Sequence, residues 1–200
     1  MTISYPVTMP TTPGFVSSRF WLRSNTTVFT SPISKVEQVL ERQGARWAAE
    51  YVLPPMKRAT AAAWVAFLVS LRGRRGTFYG FDPDAKTMLG TATGTILVNG
   101  SSQTGNALAV DGLSAGGTIL MGSYIQVGLY LYMVVEDATA NGSGEVTLSI
   151  EPALRTSPGN NDSVTVTNPK CIMRLTEDDV SWDADRCSKF GIQFSAIEAL

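Results

Sequence analysis

The sequence predicts an all-β fold with one accessory α-helix. Short β-branched or aromatic runs recur along the 200 residues with turn dipeptides between them, and only 57–72 has strong helical spacing. Charge is also unevenly spread. Residues 88–163 hold six acids and one base, a net of −5, whereas the flanks hold eleven acids and fifteen bases, a net of +4. Such a shift points to an acidic module inserted into a mildly basic host whose two parts meet in space. The expected division is therefore a host in two parts, 1–87 and 164–200, around an insert of 88–163.

The elements follow from period and punctuation. Segment 1–15 has three prolines and no charge, which predicts an extended arm. Runs 18–23 and 26–30 flank Ser24-Asn25 and read as a hairpin. Region 35–43 has two readings: Ser34-x-x-Glu37 is a capping box ahead of Val36, Val39 and Leu40, yet Val36, Gln38 and Leu40 also share one face of a strand. Run 46–53 alternates, with Trp47, Ala49, Tyr51 and Leu53 on one side, until Pro54-Pro55 ends it. The helix at 57–72 is alanine-rich. It carries the stripe Trp64, Phe67, Leu68 and Leu71, and Gly73 follows as a stop. Further strands are expected at 77–81, 93–98, 118–121, 124–127, 129–135, 145–150, 164–167, 171–175 and 189–197. Asn99-Gly100, Asp111-Gly112, Asn141-Gly142 and Asn168-Pro169 supply turns. Many short strands of this kind make a sandwich or a small barrel.

Composition removes whole classes of chemistry. Histidine is absent, so the chain has no Ser-His or Cys-His nucleophile pair. Neither Gly-x-Ser-x-Gly nor a phosphate-binding Gly-x-x-x-x-Gly-Lys-Ser/Thr occurs. Asp82-Pro83-Asp84, Glu177-Asp178-Asp179 and the pair Asp183 and Asp185 read as acidic turns. The run 182–186 does not follow a calcium-loop pattern. No catalytic residue, cofactor or metal ligand is expected. Cys171 and Cys187 read as reduced thiols, with a single bridge as the alternative. A net charge of −1 gives no basic field for nucleic acid, and the longest apolar run, 129–135, is too short to cross a bilayer of about 30 Å as a helix. No signal-peptide pattern leads the chain, which predicts a soluble protein made inside the cell. Four Asn-x-Ser/Thr sequons, at Asn25, Asn99, Asn141 and Asn161, read as chance in a chain rich in those residues.

Two groups are candidate contacts. Lys57 and Arg58 at the start of the helix, with Arg72, Arg74 and Arg75 just after it, offer a surface for an acidic partner; solvated charge complementing the helix dipole is the plainer reading. Tyr124, Tyr130 and Tyr132 would be the contacts in an alternative function, that of a carbohydrate-binding β-sandwich that attaches to a surface glycan.

The run 44–83, GARWAAEYVLPPMKRATAAAWVAFLVSLRGRRGTFYGFDP, combines Gly-x-x-Trp, Leu-Pro-Pro-Met, a helix ending Ala-Phe-Leu-x-x-Leu-x-Gly, and Gly-x-Phe before Asp-Pro. Together with Phe29-Thr30-Ser31-Pro32 and Phe190-Gly191-Ile192-Gln193-Phe194, it resembles the distal tail proteins of long-tailed bacteriophages. Gly122-Ser123-Tyr124-Ile125-Gln126-Val127-Gly128 and Leu148-x-Ile150-Glu151-Pro152 resemble the small barrel inserted in such proteins. The resemblance implies a β-sandwich or split-barrel host domain with an inserted small β-barrel. It implies a structural virion protein, not an enzyme, that forms a homohexameric ring around the tail channel. The tail tube, tape-measure and tail hub or tip proteins would be its neighbours, in a virion tail assembled in the host cytoplasm. The same resemblance makes 35–43 extended. The arm 1–15 is then expected to reach across a subunit interface and order only there.

Overall fold

A computed structural model describes residues 3–184 and 189–200. Cys187 and Asp185 lie outside the described residues, and with them the pairing of the two cysteines and the pairing of Asp183 with Asp185. Cys171 itself is buried.

The first half of the host contains β1 (Ser17–Arg23), β2 (Thr26–Thr30), β3 (Glu37–Glu41), β4 (Arg46–Val52), β5 (Met56–Lys57), α1 (Arg58–Ser70) and β6 (Thr77–Gly80). The hairpin expected between 18–23 and 26–30 does not form. Instead β1 pairs with β4 and β2 pairs with β3, so one long ribbon runs out through β1 and β2 and returns through β3 and β4. Ser24-Asn25 marks a break in that ribbon, where the Asn25 carbonyl accepts from the Arg42 N–H and its side-chain amide donates to the Gln43 carbonyl. The reversal lies at 31–36, closed by the Ser31 N–H on the Val36 carbonyl. The capping box at Ser34 starts no helix, and 37–41 is extended.

β4 buries Trp47, Ala49 and Tyr51 on one face, as its alternation predicts. Against that face lies α1, which buries Ala61, Trp64, Phe67 and Leu68. No side chain caps its N-terminus and no acid sits in its first turn, so burial of the aromatic stripe stabilises this helix more than local signals do. Arg72 and Gly73 follow at φ 53° and 65° and turn the chain toward β6. The arm does not stay free. Val7 adds beside β6 through hydrogen bonds with Thr77 and Tyr79, the Trp64 indole donates to the Thr12 carbonyl, and Phe15 stacks on Tyr51 at 4.6 Å. These contacts correct the expectation of an arm ordered only by a neighbour. Its apolar residues Tyr5, Val7, Met9 and Phe15 complete the core of their own domain.

The central module contains β7 (Gly94–Val98), β8 (Ala107–Leu113), β9 (Thr118–Ile119), β10 (Tyr124–Val127), β11 (Tyr130–Val134), β12 (Ala138–Thr139), β13 (Val146–Glu151) and β14 (Val164–Thr165). Six of them form one sheet, β14-β10-β11-β13-β8-β7. Its ends nearly meet: Leu97 bridges Ser163, and Val98 exchanges backbone hydrogen bonds with 161–162. The result is a small, nearly closed barrel filled by Ile96, Val98, Leu108, Val110, Ile125 and Leu148 among others. The turn expected at Asp111-Gly112 is instead the end of β8. Gly112 has φ 78° beside a register shift in the β7–β8 ladder, and a Cβ there would stand 2.1 Å from the Thr95 carbonyl oxygen. This is a β-bulge, which uses the same residue type as a turn.

The chain then returns through β15 (Cys171–Leu175), β16 (Asp183–Ala184), β17 (Lys189–Gly191) and β18 (Gln193–Glu198). The single strand expected at 189–197 is two, because Ile192 leaves the ladder and its carbonyl accepts from the Leu53 N–H. The host sheet has the order β1-β4-β18-β15-β6. β15 lies directly beside β6, with Cys171 opposite Gly80, so residues 81–170 leave and re-enter between two adjacent strands. The expected boundary at 163/164 therefore moves. Val164–Thr165 belongs to the barrel sheet, and a short antiparallel stalk at 86–88 and 166–168 carries the chain across. The fold is thus all-β with one α-helix, as the sequence predicts.

Candidate assembly surface

The two cores share one wall. In the β10–β11 hairpin, Ile125, Val127, Tyr130, Tyr132 and Val134 face the barrel, whereas Tyr124, Leu131 and Met133 face the host core. Polar bonds fix the junction. The Trp47 indole donates to the Leu131 carbonyl at 2.8 Å, and the Trp47 backbone N–H donates to Glu198 Oε2 at 3.1 Å. Arg155 of the module donates to the same Oε2 at 2.9 Å and to the Ala45 carbonyl. Its backbone N–H donates to the Tyr132 hydroxyl. Glu198 is only 1% exposed, and burial pushes its carboxyl upward against the opposing pull of the Trp47 N–H and Arg155.

This geometry removes the expected tyrosine platform. Tyr132 is buried in the barrel. Tyr124 points the other way, edge-on to Trp47 and Phe20, and burial pushes its hydroxyl up to about 12. Tyr130 is half-buried beside a cleft of about 510 Å³ that also touches Glu41, Arg42, Glu151 and Arg155. Tyrosines at 130 and 132 share a face by the strand period, and Tyr124 does not. The three side chains therefore form no common exposed surface.

The basic residues are also separated. Lys57 and Arg58 stand at the start of α1, and Arg72, Arg74 and Arg75 beyond its end, about 20 Å apart for thirteen residues. All five are exposed. Arg74 pairs with Asp178 through its backbone N–H at 3.0 Å and its guanidinium at 3.4 Å. Asp178 is thus the partner of a turn, while Asp82 accepts from the Asp84 N–H in another. Among the described residues, no group of three Cys, Asp or Glu side chains is placed to hold a metal ion. No helix among them is long and apolar enough to cross a membrane.

Two surfaces that the sequence did not reveal remain. The β2–β3 hairpin projects from the body about 17 Å beyond β1 and β4, for five residues per strand. Its apolar side chains are exposed on both faces: Val28 and Val39 on one, Phe29 and Leu40 on the other, with Ile33 93% exposed at the tip. The second surface is the face of the host sheet turned away from α1. Trp21, Ala48, Ile172 and Ile197 lie there outside both apolar cores. Arg19, Arg23, Arg46 and Arg174 share that face with one acid, Glu50. A visible signal was the lack of clean alternation in 26–41, where apolar residues fall on both faces of a ribbon.

No family model matches the sequence, and no curated protein matches it.

Proposed function

We propose that the chain is a structural subunit of a homo-oligomeric ring at the distal end of a bacteriophage tail, joining the tail tube to the tip or baseplate. The observation that carries this reading is the β2–β3 hairpin. An isolated two-stranded ribbon is marginal in water, and this one presents apolar side chains on both faces beyond the reach of its own core. Burial against another chain satisfies it. The resemblance of 44–83 to distal tail proteins supplies the kind of assembly and its expected ring of six. The glycan-binding reading has lost its platform, because Tyr124 and Tyr132 are committed to the two cores.

Electron microscopy of the virus particles that carry this chain tests the location. Antibody against the purified protein should label one end of the tail, at its tip. Label on the capsid, along the tube, or on no particle would overturn the reading.

A further inference from the structure

We infer that the hairpin of one copy seats on the outer face of the host sheet of the next copy, with Glu37, Val39 and Glu41 meeting Arg19, Trp21 and Arg23. The inference rests on the ring reading and names the two surfaces that close it.

The hairpin has an acidic face. β3 places Glu37, Val39 and Glu41 on one side, and β2 places Thr30, Val28 and Thr26 opposite them. Two carboxylates therefore flank an apolar Val28–Val39 pair, and all four side chains are exposed. On the host sheet, β1 presents the reverse pattern at the same period. Arg19, Trp21 and Arg23 share one side of β1, with Arg19 stacked over the Trp21 ring at 5.1 Å. In both strands the charged residues are four positions apart, about 14 Å, with the apolar residue midway.

The sheet face is electrostatically unfinished within one chain. Arg23 lies directly opposite Arg46 in the β1–β4 ladder, and like charges so placed are destabilising. Among the described residues, none of Arg19, Arg23, Arg46 and Arg174 forms an ion pair. Arg174 Nε is also buried without a hydrogen-bond partner. Glu50 stands directly opposite Arg19, and Arg46 pulls on the buried Glu198 carboxyl; Arg23 and Arg174 keep no such acid among the described residues, and the hairpin carries two on an apolar base.

The surfaces differ, so the contact is head-to-tail. Such an interface closes into a ring when its rotation permits and otherwise grows as a filament. A second copy of this chain is the occupant that brings both the acids and the matching period.

Charge reversal tests the match. The hairpin variant Glu37→Arg/Glu41→Arg and the sheet variant Arg19→Glu/Arg23→Glu should each shift the assembly midpoint by about 100-fold or more in sedimentation runs. Thermal melts should confirm that each monomer is folded. Mixed one to one, the two variants restore both charge matches and should form rings in which they alternate. Variants that assemble as the wild type does, or that remain monomeric when mixed, overturn the docking while leaving the ring reading intact. A wild-type chain that is itself monomeric overturns the ring reading.

Discussion

Arg155 is the one base within 88–163, and its guanidinium is held in a buried junction by Glu198 and the Ala45 carbonyl. Its side chain is 10% exposed. A buried pair gives little net stability, but removal of one partner strands the other charge. Arg155→Met should therefore destabilise by about 3–5 kcal/mol in urea melts, and adding Glu198→Gln should recover much of that loss. The pH dependence has a definite sign. Burial raises the Glu198 carboxyl above its ordinary 4.5, so its contribution is complete below that value and is lost as pH rises through the folded one. Wild type should lose stability relative to Glu198→Gln as pH increases from about 4.5 across that window. A wild type that gains on the variant over the same range would contradict the assignment. The oddity of Arg155 was legible in the sequence as a lone base in an acidic module. Its partner, 43 residues away in the last strand, was not.

Elements were legible where large apolar side chains repeat on a single face. The alternation of β4 and the stripe of α1 both correspond to the observed burial. Segment 129–135 shows the opposite case. It reads as an unbroken apolar run because β11 is a wall between two cores, so both faces need apolar side chains. Leu131→Ala should accordingly destabilise by about 2–5 kcal/mol. Glycine and asparagine misled twice. Ser24-Asn25 breaks a ribbon without reversing it, and Asp111-Gly112 stays within β8, opposite the extra residue that β7 carries in a bulge. Gly73 is the glycine whose replacement is most informative. It has φ 65°, and a Cβ would lie 2.6 Å from Asp178 Oδ1, so Gly73→Ala should cost about 1–3 kcal/mol. Arg74→Ala, which removes only an exposed pair, should cost less than about 1 kcal/mol. Equal effects of the two substitutions, read from denaturation midpoints, would contradict these roles at the helix end.

At the scale of the molecule, near-neutrality is a cancellation between an acidic barrel and a basic host. Extending the insert to its structural limits, 81–170, gives eight acids and three bases, so its net charge is still −5. Charge partition was therefore legible even though the boundary was not, since the stalk at 86–88 and 166–168 has strand character on both sides of the expected break. The projecting hairpin left only a negative signal, the lack of clean alternation in 26–41, because a ribbon that packs on nothing in its own chain has no burial pattern to impose one. Val39→Ser should leave the stability of the monomer within about 0.5 kcal/mol while weakening self-association. The proposal at this scale is that the chain completes itself with copies of itself. Mass measurement of the purified wild-type protein in native conditions, with electron microscopy of the same sample, addresses it without intermediaries. A closed ring of six subunits is the expected outcome; a monomer persisting at micromolar concentration, with no ring in purified tails, would overturn it.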